Sequence, residues 1–285
     1  MFTNTHLHRH GKLTQARCRT MAVLLSIAAT APAHAQFNLG LSPMRVELNA
    51  AAGTQRTGTL TLGNESQQPA RFRTEILDLS IDNEAVPQFK KDIPGESQYS
   101  CRQWITVNPM EAEIAPLSHT DIRYTFRIPD GVPVRTYHCA LGFTSLPNVG
   151  KPQEAIGISS VVRVVGTFYI TVGNPVPTGV VKEITISKID APKTSGYRAV
   201  VSVENSGLTN LRGQGTAEVL NDSGAPVEKA EFPAIVILPE RVQRIPIVLS
   251  SPLADGAYTY RVLVNLGTGE IQEATYKFRV PAAAE

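Results

Sequence analysis

The feature of this 285-residue chain that most constrains its fold is a succession of short segments in which apolar and polar residues alternate. Alternation with a period of two places successive side chains on opposite faces of a β-strand. Gly, Pro, Asn and Asp separate these segments at the spacing of turns, and almost no stretch has a helical period. The pattern predicts an all-β fold of the sandwich type. Examples of the alternating segments are "TGTLTLGN", "DIRYTFRI", "YRAVVSVEN" and "YTYRVLVNL".

The same plan of segments occurs twice along the chain. "LTLGNES" in the first half is echoed by "VSVENSG" in the second, each an alternating strand that runs into Asn. Several matches in the same order indicate two copies of one fold unit. The residues that recur at a constant offset of 123 are Ile114 and Ile237, Pro116 and Pro239, Ile122 and Ile245, and Tyr137 and Tyr260.

A Pro- and Gly-rich stretch, "VGNPVPTG" at 172–179, interrupts strand pairing and suits a short stiff connection. We therefore predict two consecutive immunoglobulin-like β-sandwich domains, at 36–173 and 174–285. The first copy is longer because of a polar insertion at 83–100. This insertion is interpreted either as a mobile surface loop or as a binding element.

Residues 1–35 have the pattern of a cleaved secretory signal peptide. A basic leader without acidic residues precedes an apolar run that is too short to span a bilayer, and Ala33-His34-Ala35 supplies the small-x-small cleavage pattern. The leader holds four of the 27 basic residues and none of the 25 acidic ones, so the mature chain has a net charge of −2. That charge gives no support to binding of nucleic acid or of a membrane surface. No later segment has the length or apolar character of a transmembrane helix.

Two cysteines, Cys101 and Cys139, remain after the leader is removed. An even pair in an exported chain predicts a disulfide, because oxidising compartments favour disulfide formation. Metal binding is the weaker alternative, since the mature chain has only His119 and His138 and no Cys-x-x-Cys spacing. We predict no metal and no cofactor.

The first domain resembles the N-terminal immunoglobulin-like domain of periplasmic pilus-assembly chaperones, over roughly residues 41–172. The resemblance implies a non-enzymatic protein that acts by β-strand donation to a pilin-like subunit. The second domain is similar to more generic immunoglobulin-like modules of secreted bacterial proteins. The segments that carry the resemblance are "LSPMRVEL", "TLTLGNESQQPARFRTEI", "WITVNP", "IAPLSHTDIRYTF" and "YHCALGFTSLP".

The segment predicted to bind the subunit is "AIGISSVVRVVGTFYITV" at 155–172. Its apolar residues occupy both alternating faces, with Ile156, Ile158, Val162 and Val164 on one of them. This pattern fits a strand that packs on its own core and is also offered to a partner. An ordinary core strand would have the same pattern, and the sequence leaves both interpretations open.

The resemblance also implies a basic pair that holds the terminal carboxylate of the subunit. Arg45 matches the arginine of that pair, whereas the position of the expected lysine falls near Gly166. Arg163 is the nearest candidate to replace it. The alternative for Arg45 is a solvated charge on an edge strand.

No catalytic constellation is predicted. Ser118, His119 and Asp121 share one strand, where neighbouring side chains point to opposite faces, so they do not form a triad. We predict a periplasmic chaperone-like binding protein for a pilus or other extracellular-structure subunit, with no small-molecule substrate, no nucleic acid and no membrane span. The alternative is a secreted or envelope-associated scaffold or adhesion protein without chaperone activity.

Overall fold

The computed structural model describes residues 39–146, 161–191, 194–249 and 251–281. The predicted signal peptide and part of the predicted subunit-binding segment, including Ile156 and Ile158, lie outside these residues. The described residues form 19 strands and two short 3₁₀ helices, without an α-helix, which confirms the predicted all-β class. No helix among them is both long enough and apolar enough to cross a membrane.

The first sandwich contains ten strands and both 3₁₀ helices, at Ser97–Tyr99 and Arg102–Trp104. One sheet has the order β1-β3-β8-β6, and the other has the order β2-β10-β9-β4, with β5 and β7 both paired to β4. The strands are β1 Leu39–Ser42, β2 Arg45–Ala50, β3 Gln55–Asn64, β4 Ala70–Ile81, β5 Pro87–Lys90, β6 Ile105–Asn108, β7 Glu111–Ile114, β8 Ser118–Arg127, β9 Thr136–Leu146 and β10 Arg163–Val172.

The chain changes sheets between its first two strands. β1 is antiparallel to β3 in one sheet, and β2 is parallel to β10 in the other. Pro43 lies between them and has no backbone N–H to continue either ladder. This sheet change leaves β1 opposite the first half of β10.

The core of the first sandwich lies between its two sheets. Its fully buried aromatic side chains are Phe72, Phe126, Phe143 and Phe168, and Phe126 and Phe168 meet edge to face with ring centroids 5.2 Å apart. Trp104 is partly buried against this core, with its ring centroid 4.4 Å from that of Tyr137. The predicted disulfide between Cys101 and Cys139 is present, and both residues are fully buried.

The second sandwich has its own core and nine strands. One sheet has the order β11-β12-β17, the other has the order β15-β14-β18-β19, and β13 pairs with β16. The strands are β11 Gly179–Ala191, β12 Thr194–Asn205, β13 Leu211–Arg212, β14 Gln214–Asn221, β15 Pro226–Glu231, β16 Val236–Ile237, β17 Arg241–Leu249, β18 Gly256–Asn265 and β19 Ile271–Val280. The two-sandwich, immunoglobulin-like class is therefore confirmed. The domain limits at 36–173 and 174–285 stay a prediction.

The repeat has a structural counterpart in two buried asparagines. Asn64 donates through Nδ2 to the carbonyl oxygens of residues 68, 114 and 115, at 2.8–3.1 Å. Asn205 donates in the same way to the carbonyl oxygens of residues 209, 237 and 238, at 2.8–3.1 Å. In each sandwich, this amide ties the turn after one strand to the Ile-x-Pro segment.

One detail of the repeat differs from the sequence offset. Tyr137 donates its hydroxyl to the carbonyl of Pro133, four residues upstream, at 3.0 Å, which is the geometry of a tyrosine corner. In the second sandwich Tyr258, and not Tyr260, makes the equivalent bond, to the carbonyl of Ala254 at 3.0 Å. The offset pointed to Tyr260 because the turn before this strand is shorter in the second copy.

Candidate functional site

The candidate site begins at an open stretch of strand edge on β10. β9 pairs with β10 from Arg163 to Thr171, but β2 joins the opposite side only from Thr167 onwards. Among the described residues, no strand pairs with 163–166 on that side. The site therefore combines a strand already held by its own sheet with a free row of backbone groups.

The direction of those backbone groups follows from the ladder. Thr167 donates its N–H to the carbonyl of Met44 on the β2 side at 2.9 Å, whereas the carbonyl of Val162 accepts from Ser145 of β9 at 2.8 Å. Because alternate residues of an antiparallel strand point to opposite sides, Arg163 and Val165 direct their N–H and C=O groups toward the open side.

Apolar side chains line the gap next to this edge. Val164 points inward and packs on the core, as do Leu39 and Leu41 of β1 from the facing sheet, and all three are only partly buried. Leu41 comes so close to β10 that a Cβ built on Gly166 would lie 3.3 Å from it. Val162 is partly buried and Val161 is 64% exposed. An alternating strand placed here would meet apolar side chains on one face and backbone partners along its edge.

The structure does not bring Arg163 to Arg45. Arg163 donates to Glu75 of β4 at 2.8 Å and to Thr144 of β9 at 3.1 Å. Arg45 is the register partner of Thr167, which lies four residues further along β10, or about 13 Å at the rise of a strand. Arg163 therefore belongs to the ion pair with Glu75 on the outer face of its sheet.

The basic residue near Arg45 is Arg212, from the second sandwich. Arg212 donates twice to one oxygen of Glu47, at 2.8 and 3.1 Å, and Arg45 approaches the same oxygen at 3.3 Å. The guanidinium of Arg212 also lies over the ring of Tyr169, 5.2 Å from its centroid. Burial raises the pKa of Tyr169, and the positive charge of Arg212 opposes that rise. These residues form a half-exposed carboxylate-binding arrangement that Glu47 itself occupies.

Sequence reasoning missed Arg212, because "RGQG" is typical of a turn and no local pattern connects it with β2. An apolar contact between the two sandwiches places Arg212 beside β2. Leu79 and Tyr169 of the first sandwich pack on Val236 and Leu238 of the second. The repeat gave no signal either, because Arg71 stands at the matching place in the first copy, seven residues after the buried asparagine, as Arg212 does in the second.

Within the described residues, the other side chains considered for catalysis or metal binding do not come together in one site. Ser118, His119 and Asp121 all lie on β8, and the Asp121 carboxylate accepts a hydrogen bond from Thr61 at 3.0 Å. Within the described part of the chain, no group of three or more His, Cys, Asp or Glu side chains is placed to hold a metal ion.

Within the described residues, the chain is thus a two-sandwich immunoglobulin-like protein in which β10 has an unpaired edge at 163–166. Beside β2, Arg45, Glu47 and Arg212 form a charged cluster. No family model and no curated protein matches the chain. In structure, it is similar to chaperones of pilus assembly. These include the class 5 fimbriae chaperone CfaA, with 13% identity, a TM-score of 0.43, and 86% of this chain and 100% of that chain covered.

Two further solved structures show the same similarity. The Pseudomonas aeruginosa CupB2 chaperone has 14% identity and a TM-score of 0.41, covering 85% of this chain and 100% of that one. The Salmonella enterica SafB chaperone, solved with the SafA pilin, has 14% identity and a TM-score of 0.41, covering 86% of this chain and 97% of that one. The assignment of the two-sandwich fold depends on this chain's own strand order and on its two hydrophobic cores.

Proposed function

We propose that this protein is an exported chaperone-like binding protein that captures a pilin-like subunit by strand addition at the first half of β10. The observation that carries the proposal is the free edge at 163–166, next to the partly buried side chains of Leu39, Leu41 and Val164. A flat, unpaired strand edge is a liability in a free protein, because it invites pairing with other chains. An unpaired edge beside partly buried apolar side chains is a suitable binding place for a strand of a partner protein.

The geometry also indicates how the partner strand would be held. The outward N–H and C=O groups of Arg163 and Val165 provide backbone hydrogen bonds, and the apolar gap takes alternate side chains of the incoming strand. Ile156 and Ile158 remain predicted contacts on the same alternating set as Val162 and Val164.

The charged cluster of Arg45, Glu47 and Arg212 is the proposed place for the end of the subunit. A terminal carboxylate that reached Arg45 and Arg212 would replace the carboxylate of Glu47 in the same two interactions. Arg212 is then the second basic residue of this anchor, in place of the lysine that the sequence lacks.

The test is Val165→Pro, with Val165→Thr as the matched control. Proline removes the outward N–H of an edge residue without removing a bond to β9, whereas threonine keeps the N–H and the branched side chain. The exported protein and both variants are purified from the periplasm of the native cells, and co-purified proteins are identified by mass spectrometry.

We expect a small subunit to accompany the parent protein and the threonine variant, and to be lost at least about tenfold from the proline variant. Equal recovery with a folded proline variant would overturn strand addition and favour the scaffold alternative, in which loops contact the partner. Absence of any subunit from the parent protein would also overturn the proposal.

A further inference from the structure

The polar insertion at 83–100 is an ordered element. It contains β5, which pairs with the neighbouring strand β4, and then the 3₁₀ helix Ser97–Tyr99. Its last residue, Ser100, forms a parallel bridge with His138, and the next N–H, of Cys101, donates to the His138 carbonyl at 3.2 Å. The disulfide to Cys139 joins the end of this segment covalently to β9.

The segment holds a buried carboxylate against the second sandwich. Glu96 is 3% exposed. One of its oxygens lies 2.5 Å from Nη2 of Arg241 in β17, and the other lies 3.2 Å from Nε2 of His138. Removing either partner would leave a charge without compensation in a site shielded from water. Glu96 therefore links the two sandwiches through a pair that tolerates little displacement.

Tyr99 makes a second contact of the same kind. Its ring is 5% exposed and stacks on His138, with centroids 5.9 Å apart and planes 12° apart. Its hydroxyl donates to Glu240 at 2.6 Å, and the guanidinium groups of Arg135 and Arg241 lie 5.2 and 5.8 Å from the ring centroid. The ring is thus enclosed by charged side chains of both sandwiches.

Two kinds of contact hold this segment on the first sandwich. One is polar, where Ser100 and Arg102 approach the buried carboxylate of Asp78 at 2.5 and 3.4 Å. The other is the disulfide, in which Cys101 lies two residues after Tyr99 and Cys139 directly follows His138, the residue on whose ring Tyr99 stacks. Cys139 is the neighbour of His138, so one covalent bond fixes both sides of the Glu96–His138 contact.

We propose that the Cys101–Cys139 disulfide positions Glu96 and Tyr99 as a clasp on the second sandwich, and so controls how firmly the two sandwiches are coupled. In this role the disulfide acts across the interface, beyond its stabilisation of the first sandwich. The clasp does not depend on the proposed capture of a subunit. It assigns a task to the insertion that the strand-addition site does not use.

The test measures hydrogen exchange by mass spectrometry on the intact protein, in peptides that cover 236–243. Peptides that cover β14 serve as an internal reference, because that strand belongs to the second sandwich but not to the clasp. We expect Glu96→Gln and Cys101→Ala/Cys139→Ala each to reduce protection of 236–243 by at least about tenfold, with little change in β14. Combining them should add less than about twofold, because both remove the same contact.

Arg198→Met is the matched control. Arg198 pairs with Glu84 of the same insertion, also across the two sandwiches, but this pair is exposed and distant in sequence from the disulfide. Its loss should change protection of 236–243 by less than about twofold.

Additive losses, or protection of 236–243 that is unchanged without the disulfide, would overturn the proposal. If the cysteine-free variant does not fold, the folded parent protein is reduced with dithiothreitol. That dithiol transfers two hydrogens to the two cysteine sulfurs and becomes a cyclic disulfide. If Glu96→Gln does not fold, Arg241→Met tests the same contact from the other sandwich. With these replacements too, additive losses of protection or unchanged protection of 236–243 would overturn the proposal.

Discussion

Leu117 and Glu240 occupy the same position in two copies of one turn, yet only Glu240 reaches the other sandwich. Each follows the proline of an Ile-x-Pro segment, has a positive φ, of 53° and 56°, and donates its N–H to a carbonyl after the buried asparagine. Leu117 is 65% exposed, whereas Glu240 accepts from Tyr99 at 2.6 Å and lies 3.7 Å from Arg135. The second copy of the turn has thus become part of the interface between the sandwiches.

Glycine at these two positions should have opposite effects. A side chain at positive φ is strained, so Leu117→Gly should leave stability unchanged or raise it by up to about 1 kcal/mol. Glu240→Gly relieves the same strain but removes the acceptor of the Tyr99 hydroxyl, and should lower stability by about 1–2 kcal/mol. Urea denaturation of both variants measures the difference. Equal effects would show that Glu240 contributes nothing beyond its turn.

The two tyrosines of β18 provide a second pair. Tyr258→Phe removes the bond to the Ala254 carbonyl and should cost about 1 kcal/mol. The Tyr260 hydroxyl is buried without a hydrogen-bond partner among the described residues, and burial raises its pKa. Tyr260→Phe should therefore be neutral or stabilising, because it removes an unpaired buried hydroxyl. Thermal denaturation of the two variants tests this, and a larger loss for Tyr260→Phe would contradict the assignment of the tyrosine corner.

The clasp should depend on pH through Glu96. Burial raises the pKa of Glu96, but the hydrogen bonds from His138 and Arg241 together with their charges outweigh burial, and the pKa is lowered below the ordinary value of 4.5. The folded protein therefore binds this proton less readily than the unfolded chain does. The resulting stabilisation is complete above the pKa of the unfolded chain and is lost as the pH falls through the lower pKa of the folded protein.

Glu96→Gln is the variant that isolates this effect, because Asp82 and Glu218 also have lowered pKa values and titrate in the same acid range. We expect the difference in unfolding free energy between the parent protein and Glu96→Gln to be constant near neutral pH and to shrink below about pH 4.5. Denaturant titrations across that range measure it. A difference that does not change with pH would contradict the ionised state of Glu96 in the clasp.

Glu47→Gln should separate stability from binding at the charged cluster of Arg45, Glu47 and Arg212. The side chain of Glu47 is 52% exposed, so losing its charge should change stability by less than about 1 kcal/mol. On the proposed function, the change should increase recovery of the co-purified subunit, because Arg45 and Arg212 no longer have an internal carboxylate. Arg212→Met should reduce that recovery. Unchanged recovery in both variants would exclude the charged cluster as the anchor.

Much of the architecture could be predicted because the relevant signals are local. Period-two alternation in segments such as "YTYRVLVNL" depends only on which side chains face a core, and it predicted the strands. The repeated Ile-x-Pro and Asn positions predicted two similar units, and two cysteines that follow a predicted signal peptide predicted their disulfide. The tyrosine pair was misassigned by two residues, since a shorter turn alters the register without altering the pattern.

The sequence by itself therefore determined the strands, the two-sandwich plan and the partner of Cys101. The tertiary structure alone decided that Arg212 lies beside Glu47, and that Arg241 lies beside Glu96, across about 145 residues of chain in the second case. Such pairs follow from how two finished sandwiches pack through Leu79, Tyr169 and their apolar partners. No short-range period encodes that packing, because it depends on the shapes of two surfaces that exist only after each sandwich has formed.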